Sequence, residues 1–127
     1  MLNSLWLWLL SLPQWLRQSW GVFTVLFWSY ACFAPPDPDS PPIINDKLAH
    51  FIGNFGITGS LYIAAFFRKY ALLAAIMLLY ALAIELVQWT LPDRHFSLWD
   101  MLANALGIAA AISLMAWLQR AQIIKNV

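Results

Sequence analysis

Apolar residues run through this chain in long stretches, and its polar residues fall between them. Leu5 to Leu12 is nearly all apolar, but about eight residues cannot cross a bilayer. Trp6, Trp8, Trp15 and Trp20 favour a segment lying at headgroup level, and Pro13 is expected to break it. The competing view is that these residues extend the first span or touch a partner. Ser19 to Ala34 reads as that first span. Pro35 to Pro42, PPDPDSPP, cannot be helix and is expected as an extended, polyproline-like loop. A second span is predicted over Lys47 to Phe67, where Arg68 and Lys69 interrupt it. A third runs from Tyr70 to Leu91, stopped by Pro92, and a fourth from Ser97 to Leu118. The pattern predicts an all-α fold: an integral membrane bundle of four transmembrane helices behind an N-terminal interfacial segment. The expected boundaries are 1–18 for that segment, 19–118 for the membrane domain and 119–127 for a polar cytoplasmic tail. Short connections between spans two, three and four force antiparallel neighbours.

Composition agrees. With 62% hydrophobic and 10% charged residues in 127, too few polar side chains remain to cover a soluble core. The first basic residue, Arg17, follows the early apolar run, which argues against a cleaved signal peptide. A net charge of +1 without a basic cluster gives no sign of a nucleic-acid partner. Cys32 is the only cysteine, so an internal disulfide and a cysteine-rich zinc site are excluded. It is expected to pack as a small apolar residue near the outer end of the first span. No cofactor motif stands in the chain: GxSxG, P-loop and HExxH patterns are all missing.

Basic residues set the orientation. Arg17, Arg68, Lys69, Arg120 and Lys125 fall on one side with no acidic companion. Lys47 and Arg94 lie on the other, with Asp37, Asp39, Asp46, Asp93 and Asp100. This imbalance puts both termini in the cytoplasm.

Asp46, Lys47, His50, Glu85, Gln88, Arg94, Ser97, Asp100 and Asn104 then gather at the outward end of the spans. At 1.5 Å per residue, Glu85 lies about 9 Å below Leu91, His50 about 6 Å below Asp46, and Asn104 about 10 Å below Ser97. Asp46, His50 and Asn54 follow an i, i+4 row; Glu85 and Gln88 are i, i+3; Asp100 and Asn104 are i, i+4. Some of these have local explanations. Asp46 is placed to cap the second span, and Ser97-Leu-Trp-Asp100 fits a capping box. Asn54 and Asn104 fit interhelical hydrogen bonding, with Gly53, Gly56, Ser60 and Gly107 allowing close approach. Glu85 has no local donor to cap, and burial disfavours a carboxylate's charged form unless a cation or several donors compensate. A structural salt bridge to Arg94 is the bland reading. Three chemistries compete with it. Lys47, His50 and Arg94 bind an anionic group such as a lipid phosphate. His50 and Glu85 act as general acid and base, the two candidate catalytic residues. Or His50, Glu85 and Asp100 ligate a divalent metal, the weakest reading because the ligands are scattered and no dense motif occurs.

The pieces DKxxHF (Asp46 to Phe51), ExxQ (Glu85 to Gln88) and RxxSxxDxxxNxxG (Arg94 to Gly107) stand in order on consecutive spans. This arrangement resembles the VanZ-like family of small bacterial membrane proteins, over the motif region 46–107. The resemblance implies a place in the bacterial inner membrane and an envelope role. The family is named for a protein associated with low-level resistance to the glycopeptide teicoplanin, and no settled biochemical activity comes with the name.

Three functions follow as expectations. The leading one is an envelope protein whose outward pocket binds an anionic polyprenyl-linked lipid or cell-wall component. The second is a membrane enzyme acting on such a lipid by acid–base chemistry. The third is a small assembly subunit, its Trp residues serving a homo-oligomer or a membrane partner.

Overall fold

A computed structural model describes residues 2–35, 45–92 and 94–121, with side chains from residue 7 onward. The proline-rich loop beyond Pro35, Asp93, Lys125 and the tail after Ala121 lie outside the described residues, as does the side chain of Trp6. The chain forms five α-helices and, among the described residues, no strand.

Proline sets the first break, as the sequence predicts. α1 (Leu2–Ser11) stops before Pro13, and the Pro13 carbonyl accepts from Leu16 and Arg17 to start α2 (Gln14–Phe33). α2 therefore begins ahead of the expected Ser19 and takes in part of the stretch assigned to the interface. It ends at Ala34, which is extended because Pro35 follows.

α3 (Asp46–Ile63) starts one residue away from the expected cap. Asn45, not Asp46, is the N-cap: its side chain accepts from the Lys47 amide at 2.9 Å. α3 also ends before the expected Phe67. Ala65 adopts φ 60°, and Ala65 and Phe66 donate back to the carbonyls of Tyr62 and Leu61. This is a Schellman closure built without the usual glycine.

α4 (Tyr70–Gln88) runs into tight turns at Trp89 to Leu91 before Pro92. α5 (Leu98–Arg120) follows Ser97, whose hydroxyl accepts from the Asp100 amide at 3.2 Å, as the capping pattern predicts.

Of the four expected spans, α4 and α5 are long and apolar enough to cross a membrane. α2 and α3 fall short of that test. α2 carries Gln14, Arg17, Gln18 and Ser19 near its start, and α3 carries Asp46, Lys47, His50 and Asn54.

α3 sits at the centre, lying along α5 and touching α2 and α4. Gly107 permits the α3–α5 approach, since a methyl there would run into the backbone of Phe51. The half of the bundle towards the α3–α4 turn is apolar, built on Leu61, Tyr62, Leu73, Met77, Met115 and Leu118. Thr58 is buried just above it. The other half buries His50, Asn54, Glu85, Gln88, Asp100 and Asn104. Outward, the helices expose Leu79, Leu86, Leu98, Trp99 and Trp117, an apolar surface of the kind that meets lipid or a partner.

Candidate functional site

Three helices build the polar layer, and α5 supplies its hub. The Asn104 Oδ1 accepts from the Asn54 side-chain amide at 2.6 Å and from His50 Nδ1 at 3.0 Å. Asn54 also donates to the His50 carbonyl one helical turn back, at 3.1 Å. An amide oxygen only accepts, so Nδ1 carries the imidazole proton. That leaves Nε2 as the basic nitrogen, directed toward Asp46 Oδ1 at 3.8 Å. Asp46 is half exposed and His50 is buried, so Nε2 faces the more exposed of the two acids beside the ring. The edge of Trp28, on α2, closes another side of the ring, with centroids 6.0 Å apart at 89°. Nothing in the sequence pairs Trp28 with His50, because the contact joins two helices across a long loop.

Glu85 is the most enclosed acid of the layer, at 0% exposure. Its Oε2 accepts from the Ser97 amide at 3.3 Å, and its Oε1 lies 3.9 Å from His50 Nδ1 with no hydrogen-bond partner. The capping box at α5 is thus shared between helices. Ser97 caps the Asp100 amide, but Glu85 of α4, rather than Asp100, reaches the Ser97 amide. Asp100 is released for another partner: Lys47 Nζ stands 2.6 Å from its Oδ1 and 3.6 Å from Asp46 Oδ2.

The polar residues expected at one depth divide between two sets of partners. His50 and Glu85 face each other, whereas Arg94 donates to the Ala34 carbonyl at 3.3 Å. The salt bridge between Glu85 and Arg94 is not formed. The Gln88 amide likewise turns from the layer and donates to the Cys32 carbonyl at 2.9 Å. Both side chains hold the end of α2 to the bundle. Cys32 itself is buried, as its small apolar character predicts.

The metal set weighed from the sequence is also regrouped. Asp46, His50 and Asp100, not Glu85, bring ligand atoms within 4.8 Å of one another. The Lys47 ammonium between the two aspartates already supplies a positive charge there.

A sequence profile for one family matches residues 5–119, from α1 to the end of α5. The chain belongs to the VanZ/LLP1 family. This VanZ/LLP1 match reaches well beyond the motif region on both sides, into the first long helix and the Trp-rich stretch before it. No curated protein and no solved structure matches the chain. His50, Glu85, Ser97, Asp100 and Asn104 form one layer within the matched region, with Gln88 and Arg94 turned to α2 beside it.

Proposed function

We propose that this VanZ/LLP1-family protein spans the bacterial inner membrane four times with both ends in the cytoplasm. Its outward polar layer binds an anionic lipid-linked component of the envelope through acid–base contact with His50 and Glu85. One observation carries the reading: the enclosed Glu85 offers an oxygen with no hydrogen-bond partner beside His50. A buried acceptor left open in a bonded layer is costly, and such groups gather where a ligand or proton is handled. Lys47 and Arg94 are engaged by Asp100 and the Ala34 carbonyl. Their engagement favours proton exchange with the ligand's head over a simple clamp of three cations. A phosphate oxygen sharing a proton with the pair replaces charge repulsion by a strong, charge-assisted hydrogen bond.

The polar side chains that make α3 a poor span by composition support the four-span reading. His50, Asn54 and Thr58 are all buried, turned from the surface that meets lipid. A head arriving from the outer side meets His50 Nε2 first, while its tail stays in hydrocarbon.

The test is binding of undecaprenyl phosphate to the purified protein, to His50→Ala and to Glu85→Gln. Each variant is expected to bind about tenfold more weakly, the loss of roughly 1.4 kcal/mol for one such contact. Equal or negligible binding in all three overturns the proposal. Conversion of that lipid by the wild type but not by Glu85→Gln makes the site catalytic. A link to glycopeptides is tested in cells: the wild type is expected to raise teicoplanin tolerance, and Glu85→Gln to abolish the gain.

A further inference from the structure

At the opposite end of the molecule, α1 and α2 border a half-open cavity of about 630 Å³, lined by Trp8, Leu16, Arg17, Ser19, Trp20 and Phe23. That size suits a small ligand or a segment of acyl chain. The lining is almost wholly apolar apart from the Ser19 hydroxyl and one charged group, the Arg17 guanidinium. Arg17 Nη1 donates to the Ile63 carbonyl at 3.0 Å, satisfying the last turn of α3. Its Nε is buried without an acceptor, and no carboxylate pairs with Arg17 among the described residues. The surroundings offer no such partner. The described acidic residues, Asp46, Glu85 and Asp100, belong to the other end, while Arg68, Lys69 and Arg120 share this one. Trp8, Trp15 and Trp20 at the same level are the side chains that settle at a membrane–water interface.

We propose that this cavity binds one anionic phospholipid of the cytoplasmic leaflet. Its phosphate is held by Arg17, and the start of an acyl chain lies between α1 and α2. The charge argument selects the occupant. A neutral lipid leaves the guanidinium unpaired, whereas a phosphate gives it an acceptor and a counter-charge in a planar, forked geometry. The site is separate from the outer polar layer and uses none of its residues. It rests on the membrane placement proposed above, and not on the chemistry of His50 and Glu85.

The full-length protein in detergent is given phosphatidylglycerol and phosphatidylcholine of identical chains in equal amounts, and retained lipid is read by native mass spectrometry. The wild type is expected to retain one phosphatidylglycerol, favoured about fivefold or more, as one basic residue at an anionic headgroup allows. Arg17→Gln is expected to lose the preference. Ser19→Trp fills the cavity from its exposed rim, leaves the Arg17–Ile63 bond in place, and is expected to lose the retained lipid. Arg120→Gln is expected to keep both. Equal retention of the two lipids by the wild type, or a preference that survives in Arg17→Gln and in Ser19→Trp, overturns the inference. Carbonate washing of membranes separates the two claims. Protein that stays in the pellet without lipid preference overturns this site alone; protein that washes off overturns the membrane placement as well.

Discussion

Lys47 neutralises an aspartate that has almost no water left around it. Asp100 is 6% exposed, and Lys47 Nζ is its close partner at 2.6 Å. Removing the ammonium leaves a nearly buried carboxylate unpaired, a costly change even though Lys47 itself is half exposed. Lys47→Ala is expected to lower stability in detergent by about 1–3 kcal/mol, read from thermal melting. Asp100→Ala in the same chain is expected to recover part of that loss, because no orphaned charge remains; simple additivity of the two changes would contradict the pairing. Asn104→Ala strips acceptor oxygen from both His50 and Asn54 and is expected to cost about 1–3 kcal/mol. That His50, Glu85 and Asn104 share one depth was legible from helical spacing, but that Gln88 and Arg94 turn to α2 was not. Nor were the partners. Lys47 and Arg94 read as anion binders, or Arg94 as the partner of Glu85, because hydrophobic pattern says nothing of a distant aspartate or of a main-chain carbonyl such as that of Ala34.

Among the helices, the strongest constraint is the closeness of α3 and α5. At Gly107 any side chain meets the backbone of Phe51, whereas at Gly56 nothing lies within reach. Gly107→Ala is expected to abolish folded yield or lower the melting point sharply. Gly56→Ala is expected to be neutral or to gain up to about 1 kcal/mol from helix propensity. The same measurement on both variants checks the contrast. At the far end of α3, Ala65 holds a left-handed backbone that costs an L-residue about 1–2 kcal/mol. Ala65→Gly removes the steric part of that cost, and a rise of roughly 0.5–1 kcal/mol in unfolding free energy is expected. Helix ends marked by Pro13 and Ser97 could be read from the chain, whereas α4 stops at Gln88, short of the expected Leu91. The end of α3 could not be read either, because the turn is made by alanine where glycine is the readable sign.

For the molecule as a whole, the all-helical fold was legible because apolar runs and proline breaks leave few other arrangements. The count of crossings was less so, since α2 and α3 mix polar groups into their lengths. Topology is open to direct test. With Cys32 buried and replaced by Ala as background, His95→Cys is expected to react with an impermeant maleimide added to intact cells. Arg68→Cys is expected to react only after the membrane is opened, and the reverse pattern would invert the proposed orientation. The attachment of α2 has a separate consequence. At its C-terminal tip the bundle grips main-chain oxygens, those of Cys32 and Ala34, through donors that belong to other segments. Every amino acid brings the same oxygen, so the identity of these two positions is irrelevant to the grip. Replacing Ala34 by another residue is therefore expected to leave both holds in place.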